Sequence, residues 1–406
     1  MILGSTVSTS AAKSLRPSIA LWLALALCFL LTGCWTKSPP LTSAEFEAKL
    51  ARITSRGGYI PTRTYKTIEL RETWRQGVVD IDIDILAPVE GGHFPTVLYL
   101  PGLGENADAG RLWRRAWAQA GYAVLSVQPA SLGEAILSSK DAKADKRAIA
   151  RRSSSAVSLE NRLGHLAWVL DELTRRTQSL VSLYGRVDLS RLALAGFDLG
   201  AQAVSALCGE SVEGSPKTFP TAPHAGIVLS PYVDLAAGGL EKRFSNMTLP
   251  LLTVTGSEDD DPFGISSASL RRAVWQYAPP GDKYLLILQG GAHRLLAGSE
   301  LGGSRKADDA SKDGDQTPQE DQDSRDRRDP DSDRIAAYGG GGRVRRGGGG
   351  DRRKRGREIG FRHIAAVESI STAFLDVSLK HDRVAKEWLL RNARPWLGRS
   401  ATLQWK

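Results

Sequence analysis

Arg191-Leu192-Ala193-Leu194-Ala195-Gly196-Phe197-Asp198-Leu199-Gly200-Ala201 reads as a strand, a sharp turn and the opening of a helix. The strand ends at Ala195 and the helix runs from Gly200 to Leu207. Glycines stand two residues before and two after Asp198. A turn this tight needs small neighbours, because its central residue is held in a strained conformation. A reactive side chain at such a point is thrust clear of the sheet.

The segments on either side repeat the theme. Thr67–Trp74 and Val78–Leu86 read as strands, and in the second Val79, Ile81, Ile83 and Ile85 alternate with Asp80, Asp82 and Asp84. That period of two predicts one buried and one solvated face, with the aspartates on the wet side. Thr96–Leu100, Ala123–Val127, Ile227–Leu229, Leu251–Thr255 and Tyr284–Leu288 are compact apolar strands. Helical patterns lie between them at 110–120 and 159–175, and a final one runs over 361–390. Short apolar strands alternating with helices predict an α/β fold, with a mostly parallel, doubly wound sheet covered on both faces. Ligands in such sheets gather at the carboxyl ends of the strands.

Three further motifs fall at such ends. Gly102-Leu103-Gly104 follows the strand at 96–100. Gly256-Ser257-Glu258-Asp259-Asp260-Asp261-Pro262 follows the strand at 251–255. Gly290-Gly291-Ala292-His293 follows the last strand. Together with Asp198, the set resembles an α/β-hydrolase, whose nucleophile elbow is usually G-x-S-x-G and here reads G-x-D-x-G. The resemblance spans 65–300 and 359–395. It is closest to the cap-less branch of dienelactone hydrolases, cutinase-like polyester hydrolases and platelet-activating-factor acetylhydrolases. It implies Asp198 in the nucleophile position and His293 as the catalytic base. It implies a triad acid among Asp259, Asp260 and Asp261, with Asp259 at the commonest offset. The backbone N–H groups of Leu103 and Leu199 would form the oxyanion hole.

The aspartate is the departure. A serine gives up a proton before attacking, whereas a carboxylate attacks as it stands. Epoxide hydrolases and haloalkane dehalogenases use an Asp here, but they usually carry a Trp after it, where this chain has Leu199. They also carry a helical cap, for which the stretch between Leu229 and Leu251 is too short. Three readings follow: an ester hydrolase working through Asp198, an Asp-nucleophile dehalogenase or epoxide hydrolase, and an inactive hydrolase-like binding protein. The first is preferred, with a small-molecule, lipid or polyester substrate. The sequence carries no metal-ligand cluster and no nucleotide-binding glycine pattern, so no metal or cofactor is expected.

Composition limits the other classes. The chain has 406 residues, 41% apolar and 24% charged, enough for a sizeable core and unlike collagen or a disordered chain. The net charge of +9 includes a small surplus in each flexible segment, which leaves the core near balance. No nucleic-acid partner is expected from it.

Lys13 and Arg16 precede an apolar run from Ile19 to Leu31, too short to span a bilayer and right for a signal peptide. It ends Leu31-Thr32-Gly33-Cys34, which resembles a bacterial lipobox. Lipid on Cys34 would anchor the chain in the cell envelope. Trp35 in place of Asp favours the outer membrane, facing the periplasm. Cys208 is then the one cysteine left, expected as a small buried apolar residue. The expected organisation is a signal at 1–33, a lipidated Cys and tether at 34–64, a core at 65–301, a charged Gly-rich disordered insertion at 302–357, and a completing helix and tail at 358–406.

Overall fold

Nine strands form one sheet in the order β1-β2-β4-β3-β5-β6-β7-β8-β9. They are β1 Thr67–Gln76, β2 Val79–Pro88, β3 Phe94–Leu100, β4 Ala123–Pro129, β5 Val187–Phe197, β6 Ala225–Leu229, β7 Leu251–Glu258, β8 Lys283–Ala292 and β9 Ala401–Trp405. β4, β3, β5, β6, β7 and β8 run parallel. β1 and β2 at one edge and β9 at the other are antiparallel to their neighbours. The computed structural model describes residues 41–138, 146–178, 183–212, 219–298 and 349–406, with side chains in the last stretch from residue 358. Glu45–Lys406 is one compact unit. The α/β class and the mostly parallel sheet agree with the sequence.

The pleat divides the core in two. On one face Val97, Tyr99, Ala195, Ile227, Val254 and Leu286 pack under helices α2 (Arg111–Gln119) and α5 (Gly349–Lys380). On the other Leu98, Leu100, Leu192, Leu194 and Val228 pack under α3 (Ala156–Thr177) and α4 (Leu199–Leu207). Phe361, Ile364, Val367, Ile370 and Phe374 of α5 are all buried. Each such side chain contributes roughly 1.5–3 kcal/mol of transfer free energy. Polar pins fix this layer: Asp376 accepts hydrogen bonds from the hydroxyls of Tyr59 (2.7 Å) and Tyr122 (2.6 Å), and Trp117 donates to Ser371 (2.8 Å).

Four expectations need correction. Residues 43–64 are not all tether. Helix α1 (Ser43–Thr54) buries Leu50 and sets Phe46 against Phe361, with ring centres 5.2 Å apart. The final helix begins at Gly349, inside the span assigned to the insertion, and ends at Lys380 rather than 390. His381 takes a left-handed φ of 54°, and Asp382 then caps Arg383–Glu387 by accepting from the N–H groups of Val384 and Ala385. Residues 401–405 are the edge strand β9, not a tail. Asp84 does not face water: it is buried with Arg114, 3.1 Å away, because α2 covers that part of β2. Cys208 is buried as expected, and burial pushes its thiol up to about 12. The signal segment, Cys34 and residues 302–348 lie outside the described residues.

Candidate active site

Asp198 caps α4 at the end of β5 with φ 49° and ψ −110°, a region that L-residues rarely occupy. Sterics explain both flanking glycines. A Cβ on Gly200 would lie 1.9 Å from the carbonyl oxygen of Leu100, and one on Gly196 would lie 2.5 Å from the carbonyl carbon of Gly200. The turn is held by Asp198 N–H donating to Leu229 O at 3.0 Å. Arg162 of α3 braces the helix start, donating to Leu199 O (2.7 Å) and Gln202 Oε1 (2.6 Å). Burial pulls this guanidinium down to about 10.

The ends of β7 and β8 supply an acid–base pair. His293 Nδ1 lies 2.8 Å from Asp259 Oδ1. Ser230 and Thr255 donate to the other oxygen of Asp259 at 2.8 and 2.7 Å. Asp259, Ser230 and Thr255 are fully buried. The strands carrying the pair meet closely, since a Cβ on Gly256 would sit 1.9 Å from Gly291 O. The His293 ring lies 4.9 Å from that of Phe197, the residue before Asp198.

The three candidate acids therefore separate. Asp260 accepts from Ala268 N–H at 3.0 Å. Asp261 accepts from Phe263 N–H (3.1 Å) and Ile265 N–H (2.7 Å), which folds the loop onto its own carboxylate. Only Asp259 of the three is paired with His293. Asp259→Asn is expected to lower kcat by about three orders of magnitude or more, because an amide no longer fixes the Nδ1–H tautomer. Asp260→Asn should stay near wild type. Steady-state kinetics of the two variants decides the assignment, and equal losses would refute it.

Arg271 was not foreseen. It is fully buried and donates to Asp259 O (2.8 Å), Ser230 O (2.6 Å) and Pro231 O (3.1 Å). It also lies 3.2 Å from Asp259 Oδ1 and 3.1 Å from His293 Nδ1. A guanidinium can only donate. Arg271 and Asp259 thus compete for Nδ1: a bond from Arg271 needs a bare nitrogen, and a bond to Asp259 needs a protonated one. Nothing local in Leu270-Arg271-Arg272 marks this role.

Burial raises the Asp198 carboxyl above the usual range, and the charges of His293 and Arg271 partly counter it. The neighbouring backbone N–H of Leu199 also favours its charged form. Its Oδ1 is buried and has no hydrogen-bond partner among the described residues. Across from it, the loop after β3 carries Leu103, whose N–H is the other expected oxyanion donor. Gly102 N–H donates to Glu105 Oε2 at 2.8 Å, a bond the sequence did not signal.

Above these groups sits a small apolar cluster. Leu103, Ala150 and Leu199 are buried, with Leu132, Ile136, Leu137, Ile149, Phe263 and Ile265 packed against them. A separate cavity of about 30 Å³ borders Leu199, Gly200 and Arg162. That is room for about one water and not for an organic substrate. Among the described residues no group of three or more His, Cys, Asp and Glu side chains is placed to hold a metal ion. No family model matches the chain, and no curated protein matches it.

Proposed function

We propose that the chain is a hydrolase of the α/β-hydrolase type without a cap domain, with Asp198 as a carboxylate nucleophile. One observation carries this reading: the Asp198 carboxyl stands buried at a strained elbow, with Oδ1 unpartnered and the Leu199 N–H near enough to favour its charge. A serine site aims that N–H at the substrate's oxygen. An aspartate site needs it on the nucleophile itself, for the following reason.

Oδ1 attacks an electrophilic carbon, and the leaving group departs with the bonding pair. The product is an ester on Asp198 where the carbon is an alkyl carbon, and a mixed anhydride where it is the acyl carbon of an ester. Water then adds to Cγ of that ester or anhydride while His293 Nε2 takes a proton from it. Negative charge develops on an oxygen of Asp198, where the N–H of Leu199, joined by that of Leu103, stabilises it. Collapse releases the alcohol from an alkyl ester, or the carboxylic acid from an anhydride, and the proton held by His293 goes to the departing oxygen. Asp259 holds the base by accepting its Nδ1–H.

The cluster of Leu103, Leu137, Leu199 and Phe263 supports a small apolar or lipid-like substrate, with a carbon–oxygen bond as in an ester, or a carbon–halogen bond. The Leu31–Cys34 pattern supports placing the protein at a bacterial cell envelope, lipid-anchored in the outer membrane and facing the periplasm. Purified full-length protein should turn over members of a panel of p-nitrophenyl esters, terminal epoxides and haloalkanes. The His293→Gln variant should accumulate the substrate-derived mass on Asp198. An adduct on another residue, or turnover untouched by His293→Gln, overturns the reading.

A further inference from the structure

Glu105 has no role in the steps above, yet it stands on the loop that carries Leu103, within electrostatic reach of Asp198. It follows the glycine loop after β3, where Gly102 N–H donates to its Oε2 at 2.8 Å. A Cβ on Gly102 would lie 3.2 Å from that oxygen and 2.9 Å from the Phe197 ring, so the carboxyl, the loop and the residue before Asp198 are in contact range. Gln128 locks the loop by donating to Gly102 O (3.0 Å) and Glu105 O (2.8 Å). Gly104, at φ +77°, lets Leu137 of the apolar cluster close against the loop, since a Cβ there would meet it at 2.4 Å. Oε1 of Glu105 accepts no hydrogen bond within the described residues.

We propose that Glu105 is the acid that protonates an oxygen leaving group, which directs this site to epoxides rather than to halides. The inference rests on Asp198 being the nucleophile. Two carboxyls lie within electrostatic reach of each other and divide the labour, one attacking and one donating. Burial pushes the Glu105 carboxyl up to about 8. The Gly102 N–H opposes that, and the nearby charges of Asp198 and Asp108 add to it. The Tyr99 hydroxyl, itself raised by burial, is the remaining titratable group within its field. Glu105 therefore holds its proton at neutral pH while the Oε2 side accepts from Gly102.

The atoms balance. Asp198 Oδ1 bonds to an epoxide carbon, the ring C–O bond breaks, and its electron pair takes the proton from Glu105 to give a hydroxyl. Water then adds to Cγ of Asp198. One of its protons passes through His293 to the departing alkoxide, and the other remains on the regenerated Asp198 carboxyl and returns to Glu105. The sum is epoxide plus water to diol. A halide leaves as a stable anion and has no use for such a proton.

The test measures the rate of adduct formation on Asp198 by mass, in the His293→Gln protein with and without Glu105→Gln, using a terminal hexyl epoxide and hexyl bromide. Glu105→Gln should slow epoxide addition at least about 100-fold. Without that substitution the epoxide rate should fall as pH rises through about 8, where Glu105 gives up its proton, and with it the rate should be flat. Bromide addition should change little. An unchanged epoxide rate, or an equal loss with bromide, overturns the acid role and leaves Asp198 as nucleophile. Absence of any adduct from either probe overturns the epoxide assignment, and absence of an adduct from p-nitrophenyl esters as well overturns the underlying reading. If only the epoxide reacts, the pH profile decides. Equal melting temperatures of the two proteins show that the variant is folded.

Discussion

Asp198→Asn is expected to lose turnover by about four orders of magnitude or more and, at neutral pH, to melt at a higher temperature than wild type. The first effect follows from chemistry: an amide keeps the shape of the carboxylate and cannot form the covalent ester. The second follows from burial. The Asp198 carboxyl is raised above its ordinary value chiefly by loss of water. A raised acid binds its proton more tightly when folded. Its contribution to stability is therefore most favourable at low pH, and falls as pH rises from the unfolded value through the folded one. At neutral pH the charged form is a burden on the fold, which a neutral amide removes. Near pH 3 both states carry the proton and the gain should shrink. A thermal melt at the two pH values, read beside the kinetics, separates a site residue from a structural one. Retained turnover would move the catalytic site elsewhere, and a lowered melting temperature would mean that Asp198 serves the fold.

Arg271→Met is expected to cost about 3–5 kcal/mol in denaturant unfolding, the largest loss of stability expected from any change at this site. The side chain is wholly enclosed and answers three carbonyl oxygens and one carboxylate oxygen. A methionine fills the volume and leaves those acceptors unsatisfied, Asp259 among them. Arg271→Lys should recover only part of the loss, because an ammonium cannot span the same set of acceptors. Activity should fall with Arg271→Met even in the folded fraction, since the backbone carbonyl of Asp259 loses its brace. A loss below about 1 kcal/mol would show that water or a neighbouring group replaces the guanidinium.

Local grammar made the elbow legible. Gly196, Gly200 and the strand before them are neighbours in sequence, and the strain at Asp198 needs small residues at those two positions. The strand-end motifs were legible for the same reason, and the offset from Gly256 was enough to favour Asp259. Partners brought in from a distance were not legible. Arg271 reaches the acid–base pair from the far side of the Asp261 loop, and its neighbour Arg272 looks the same in sequence. Glu105 reads as one more polar loop residue until the loop closes on Gly102. Asp84 sits in clean alternation with Asp80 and Asp82, yet α2 brings Arg114 over it and turns a wet position into a buried ion pair. β9 is only five residues long, and although Gly398 turns the chain before it with a φ of 55°, pairing with β8 is what defines it.

The cover of one sheet face has a consequence for how the chain comes into being. Strands β3 to β8 are complete by Ala292, but the helix that shields Ala195, Ile227, Val254 and Leu286 is Gly349–Lys380. A ribosome delivers the strands first. Until α5 follows, the nascent sheet presents Ile227, Val254 and Leu286 to water, and β8 keeps an unpaired edge until Ala401–Trp405 arrives. Contacts this distant in sequence close slowly, and an apolar sheet face left open in the meantime invites aggregation. The stretch 349–405 thus acts as the closing step of this domain's synthesis, and a chain stalled before it would be a client for chaperones rather than a smaller working protein.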